Sequence, residues 1–102
     1  FTMEHGYYAD PIRAAGIEVV VPDEADRAKV GAIQSRLADG EMDPAYAEYF
    51  ADLVARHAAA GCEALIAGCT ELPLVITQDL SPIPVVDPLR LQCNACLDFA
   101  LA

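Results

Sequence analysis

Ala64-Leu65-Ile66-Ala67-Gly68-Cys69-Thr70-Glu71-Leu72-Pro73 is the stretch that decides the fold. Residues 64–67 form a short apolar run of the kind a buried strand carries. Gly68 permits a tight turn, and Cys69 lands at the start of a short helical piece over residues 72–76. Thr70 can cap that piece, and Pro73 lies in its first turn, where a missing N–H costs nothing. A strand that turns directly into a helix is the repeating step of a parallel sheet covered on both faces.

Further along, Ile83-Pro84-Val85-Val86 reads as another short strand, closed by Asp87-Pro88 and followed by a helix over about 89–101. Upstream, Asp43-Pro44 starts a helix that places Tyr46, Phe50, Leu53, Val54 and His57 on its apolar side, and Gly61 stops it. His57 reads as a core or boundary histidine. Asp23 caps an earlier helix whose apolar positions Val30, Ile33 and Leu37 fall three and four apart, and Asp39-Gly40 ends it. Ile17-Glu18-Val19-Val20-Val21, ended by Pro22, predicts a buried strand from its β-branched run. Thr2 is the expected cap of an opening helix over residues 3–15, with Gly16 as its stop and Pro11 breaking or kinking it near Asp10. The expectation is an α/β domain: a short parallel sheet of three strands flanked by helices in three layers. Such sheets bind ligands beyond the carboxyl ends of their strands. The chain opens on a helix cap with no strand before it, and the sheet is thin for so many helices.

The chain has 102 residues, 16 acidic and 6 basic, for a net charge of −10. With 55% apolar and 22% charged residues it has the composition of a globular domain rather than of a disordered acidic tail. Its length allows one small core. Strong negative charge repels phosphate backbones and anionic headgroups, which argues against nucleic-acid and membrane-surface partners. No apolar run approaches the ~20 residues that span a bilayer, and the opening residues lack the pattern of a signal peptide. Cys62, Cys69, Cys93 and Cys96 are therefore expected as free thiols in a reducing cytoplasm. Cys93 and Cys96 have metal or redox spacing, yet no second ligand pair accompanies them. On one helix face they read as small packing residues, and no metal is expected.

Cys69 is the chemical candidate. At a helix start it faces free N–H groups and the positive end of a dipole, both of which favour thiolate. An ordinary thiol titrates near ~8.5, so a modest downward shift would make it a base at neutral pH. Glu71 opposes that shift if its carboxylate points inward. On these residues alone, a buried cysteine with a capping threonine is the plain alternative.

Gly68-Cys69-Thr70-Glu71-Leu72-Pro73-Leu74, preceded by Gly61-Cys62-Glu63-Ala64-Leu65-Ile66, resembles the second cysteine motif of the aspartate/glutamate racemase family. Thr2-Met3-Glu4, Gly16-Ile17-Glu18-Val19-Val20-Val21-Pro22-Asp23 and Pro84-Val85-Val86-Asp87 resemble further segments of that family, in order along nearly the whole chain. Glu71 after the Cys-Thr pair is similar to the aspartate-type branch. The resemblance implies racemisation without a cofactor: one thiolate removes the α-proton and a second thiol protonates the opposite face. It implies Cys69 as one of that pair, Thr70 and Glu71 as substrate-binding residues, and Thr2 and Gln92 as substrate-proximal ones.

The family is about twice this long, and its other thiol lies on an earlier half-domain. Residues 1–102 thus resemble the C-terminal half-domain of a two-domain racemase, nearly inactive alone. Its expected partners are an amino acid of aspartate or glutamate type and a missing N-terminal half-domain or oligomer partner. Two positions depart from the pattern. The loop Ala38-Asp39-Gly40-Glu41 is acidic where aspartate enzymes carry a basic residue, and Gln92 stands where the family often has His. A non-catalytic carboxylate-binding half-domain and a related isomerase of hydantoin racemase or maleate isomerase type are the alternatives.

Overall fold

Glycines and aspartates set the helix boundaries, and they do so alike in both units of the chain. The computed structural model describes residues 1–102, which divide into the units Phe1–Ser35 and Arg36–Ala102.

In the first unit a turn folds Glu4 N–H (3.1 Å) and His5 N–H (3.2 Å) onto the Phe1 carbonyl. Helix α1 (Gly6–Ala14) follows, and its cap residue His5 makes no side-chain cap bond. The helix is shorter than expected because that opening turn takes up the first residues. Thr2 is not its cap. Pro11 lies inside α1 without ending it. No residue of α1 is buried, so water reaches the carbonyl that lost its partner, and the helix tolerates the proline. Gly16 (φ 87°) closes the helix, its N–H donating to Arg13 O at 2.9 Å while Ile17 N–H donates to Ile12 O at 3.4 Å. This is the paired carbonyl closure that a left-handed glycine permits.

Residues 17–21 form no strand. Ile17 is 59% and Val20 54% exposed. β-Branched propensity describes a residue that fits a pleated, half-buried surface, and it creates no strand without a neighbour to pair with. The expected third strand is therefore absent. Helix α2 (Glu24–Ala38) begins where Asp23 Oδ1 accepts the Asp26 N–H at 2.9 Å. Arg27 Nη1 donates to Pro22 O at 2.7 Å, and its Nε lies 3.6 Å from Glu4 Oε1.

In the second unit Gly40 (φ 84°) repeats the closure, with Gly40 N–H on Leu37 O and Glu41 N–H on Arg36 O. Helix α3 (Pro44–Ala59) starts with proline at a position that needs no N–H, and Asp43 Oδ1 accepts the Ala45 N–H at 2.9 Å. It buries Tyr46, Phe50, Leu53 and Val54, each worth about 1.5–3 kcal/mol for large side chains removed from water. His57 is half-buried with Nδ1 2.9 Å from Leu53 O, as a boundary histidine should be.

Strands β1 (Leu65–Ile66) and β2 (Val85–Val86) pair in parallel, Leu65 opposite Val85 and Ile66 opposite Val86. Leu65 N–H donates to Pro84 O and Ala67 N–H to Val86 O, both at 2.9 Å. Between them lie 3₁₀ turns at Leu72–Leu74 and Gln78–Leu80, the second unforeseen. The Gln78 amide accepts from Val85 N–H (2.9 Å) and donates to Ile83 O (3.0 Å), standing in for a neighbouring strand along β2. Helix α4 (Pro88–Leu101) is capped by Asp87, whose Oδ1 accepts from Leu89 N–H (3.0 Å) and Arg90 N–H (3.3 Å). It buries no residue. Cys93 and Cys96 are exposed on it, so they do not pack as expected. The architecture is α/β, a short parallel sheet with helices, and no helix is long and apolar enough to cross a membrane.

Candidate active-site turn

Strand β1 delivers the turn. Ala67 is fully buried at its end, anchored by its N–H to β2. Gly68 has no positive φ, and a Cβ there would only touch Ile66 Cγ2 at 3.9 Å. The turn therefore does not depend on glycine, contrary to the sequence expectation. Cys69 is half-buried, and its Sγ accepts the Leu72 N–H at 3.3 Å. The thiol thus does the work expected of Thr70, which is exposed and caps nothing. The displacement has a simple cause: an acceptor three residues before a free N–H is in capping register, and Cys69 holds that register.

Electrostatics at the thiol run against the expected activation. Burial pushes the Cys69 thiol up, since the charged form loses solvation. The Leu72 and Glu71 backbone N–H groups pull it down, and the Glu71 carboxylate, hydrogen-bonded to the thiol, pushes it up again. The net direction is up. A 3₁₀ turn of three residues contributes too little dipole to reverse it. The net push on Cys69 is thus away from thiolate.

Cys69, Thr70 and Glu71 come together because they follow one another on the turn. Gln92 stands exposed on α4 of the same unit. Thr2 belongs to the first unit, half-buried, with Oγ1 3.3 Å from the Tyr7 hydroxyl oxygen. Cys62 is half-buried just before β1. No group of His, Cys, Asp or Glu is arranged to hold a metal ion.

One arrangement escaped the sequence reading. Arg36 hydrogen-bonds Tyr46, and the Tyr46 hydroxyl donates to Glu41 Oε1 at 2.9 Å. The acidic loop after α2 is thereby tied to α3 by a chain of three side chains. Burial is the main reason the Tyr46 phenol is pushed up. The signal available in sequence was the i, i+5 spacing of Glu41 and Tyr46, which carries no helical or strand period and so attracts no notice.

The family model for Asp/Glu/hydantoin racemases matches residues 1–96. The chain belongs to that family. The racemase-family chain is 31% identical over 83 residues to an uncharacterized protein of the pnlA 3′ region of Pectobacterium carotovorum subsp. carotovorum, covering 81% of this chain and 55% of that protein. It also superposes, with a TM-score of 0.88 and 31% identity, on the crystal structure of a protein from Yersinia pestis provisionally assigned as an Asp/Glu racemase. That match covers 99% of this chain and 45% of the other. The racemase-family chain thus spans about half the length of the relatives it matches.

Proposed function

We propose that residues 1–102 are the C-terminal half-domain of a cofactor-independent amino-acid racemase and supply one of its two thiols, Cys69. The observation that carries this reading is the position of Cys69, on the turn after a parallel strand in a chain matched to the racemase family over residues 1–96. The second thiol comes from another half-domain or an oligomer partner. Free cysteines favour the cytoplasm as the compartment.

Racemisation needs one thiolate and one thiol on opposite faces of the α-carbon. The thiolate takes the α-proton, and the electron pair left on carbon delocalises into the substrate carboxylate. The opposite thiol then returns a proton to the other face. Thr70, exposed beside Cys69, offers its hydroxyl to that carboxylate, where the developing charge is greatest. Glu71 faces the substrate ammonium. Gln92, on α4 of the same unit as Cys69, is the further residue assigned to the substrate's surroundings. The substrate is an amino acid of aspartate or glutamate type.

The test is exchange of the α-proton of L- and D-aspartate and L- and D-glutamate in deuterated water. A protein carrying both halves should exchange both enantiomers and lose exchange in Cys69→Ser, while residues 1–102 alone should be nearly inactive. Exchange by this chain alone, lost in Cys69→Ser, would defeat the half-site reading.

A second reading has one observation in its favour: the net upward push on Cys69 suits a carboxylate-binding half-domain that performs no chemistry. Binding of aspartate without α-proton exchange, in a protein that carries both halves, would establish it. A 5-substituted hydantoin and maleate in the same assay separate the related isomerases.

A further inference from the structure

Helix α4 runs for 14 residues and buries none of them, yet helices of that length are marginal in water unless one side packs. Nor is its sequence that of a solvated helix. Arg90, Asn94 and Asp98 follow at four-residue steps and form one narrow polar strip, and Gln92 is the only other polar residue. Leu91, Ala95 and Phe99 lie to one side of the strip, and Leu89, Cys93 and Leu97 to the other. Leu91, Leu97 and Phe99 are 58%, 57% and 89% exposed. Apolar residues thus occupy about two-thirds of the circumference, against the third or so that a helix resting on one surface needs. A helix of this kind is enclosed from two sides when it is covered.

Two observations point to what covers it. The first is the amount of chain outside residues 1–102: the match to the Yersinia pestis structure takes in 99% of this chain but only 45% of that one, so more than half of that relative lies elsewhere. A second copy suits the helix less well. Two-fold pairing of α4 with itself would cover one side of each helix, leave the other wet, and bring together two bodies of net charge −10. The second observation is where α4 begins. Strands β1 and β2 are parallel, Leu65 opposite Val85 and Ile66 opposite Val86, so their carboxyl ends share one edge of the sheet. The Cys69 turn leaves that edge after β1, and the Asp87 cap of α4 leaves it after β2. A body seated on α4 therefore reaches the edge that bears Cys69.

We propose that α4 is the docking helix of this half-domain: its apolar arc inserts into an apolar groove on the other half of the racemase, and that seat brings the second thiol to the Cys69 turn. This rests on the two-half reading above and adds the surface on which the halves meet. The strip of Arg90, Asn94 and Asp98 stays in water. Cys93 and Cys96 then have the packing role that the chain alone does not give them, as small apolar residues that let a neighbour approach closely.

Cys93 and Cys96 are the reporters. Their alkylation by iodoacetamide is followed site by site through peptide masses, in residues 1–102 and in the protein that carries both halves, each with Cys69→Ser so that turnover plays no part. In residues 1–102 both should react as exposed thiols. In the protein with both halves they should react about tenfold more slowly or less, the protection that packing gives a helix against local opening. Phe99→Glu should restore the fast rate there, and Asp98→Ala, on the polar strip, should leave it slow. Phe99 is exposed in residues 1–102, so Phe99→Glu should leave their urea midpoint unchanged, which separates lost docking from lost folding. Equal rates in the two proteins would overturn the proposal, as would protection that survives Phe99→Glu. Protection in residues 1–102 that grows with their concentration would assign the helix to a second copy and overturn it too. With Cys69 restored, a protein that protects α4 but exchanges no α-proton counts against the racemase reading alone. One that exchanges with α4 unprotected counts against the docking alone.

Discussion

Helices α3 and α4 begin with the same two residues, Asp43-Pro44 and Asp87-Pro88, and both aspartates accept backbone N–H bonds in the cap. Their lengths are 16 and 14 residues. Beyond the first turn they have nothing in common. Helix α3 buries Tyr46, Phe50, Leu53 and Val54, with Phe50 only 1% exposed. Helix α4 buries nothing, and Leu91, Leu97, Phe99 and Leu101 on it are 57–89% exposed. The lesson is that a cap determines where a helix starts, whereas the surroundings of its apolar side decide what the helix is worth. Most helical stability comes from packing of the apolar face rather than from local propensity.

The comparison can be broken most directly at its two phenylalanines. Phe50→Ala should cost about 3–5 kcal/mol in urea unfolding, the range for truncating a buried aromatic. Phe99→Ala, at 89% exposure, should stay within about 0.5 kcal/mol. Similar losses at both sites would mean that α4 is covered in solution. The caps sharpen the same contrast at a smaller scale. Asp43→Ala and Asp87→Ala should each remove about 1 kcal/mol of helix stability. The first should appear in global unfolding, and the second in faster amide exchange confined to α4, because a helix without packing frays locally. A global loss from Asp87→Ala equal to that from Asp43→Ala would erase the distinction.

The thiols carry the contrast into chemistry with a smaller effect. Cys93 and Cys96 on α4 should alkylate at neutral pH like exposed thiols, and Cys69 should react more slowly because its folded-state value is raised. The raised value also fixes a sign. Above the unfolded thiol's titration near ~8.5, the folded state holds the Cys69 proton while the unfolded chain releases it. The contribution of Cys69 to stability is complete below that pH and is lost as pH rises through the folded value. Cys69→Ala should flatten this part of the alkaline decline, and an unchanged slope would show that the thiol is not held as described.

Much of this was legible in the sequence because the determinants are local. Asp23, Asp43 and Asp87 as caps and Gly16, Gly40 and Gly61 as stops each act within a few residues, and the structure realises all of them. The same is true of the helical spacing of Tyr46, Phe50, Leu53 and Val54. What could not be read depends on neighbours. Residues 17–21 have strand composition without a partner strand. Pro11 is tolerated because α1 is solvated. Cys93 and Cys96 have packing chemistry on a helix with nothing packed against it. At the candidate site, the sequence located the thiol and its opposing carboxylate. It misjudged the net direction of the thiol's titration, because burial of a single sulfur depends on the whole unit. It also gave the cap to Thr70, where a hydroxyl is the usual choice, although the thiol one residue earlier is in register.

The pairing of Leu65 with Val85 has a consequence in time. Helices with their own caps and stops can form from local contacts, but a parallel pair has to wait until the chain between its strands has closed into a loop. Cys69 and Glu71 sit inside that loop. The environment that protects the thiol is therefore among the last features to assemble during refolding, and slow alkylation of Cys69 marks the moment at which the sheet has closed.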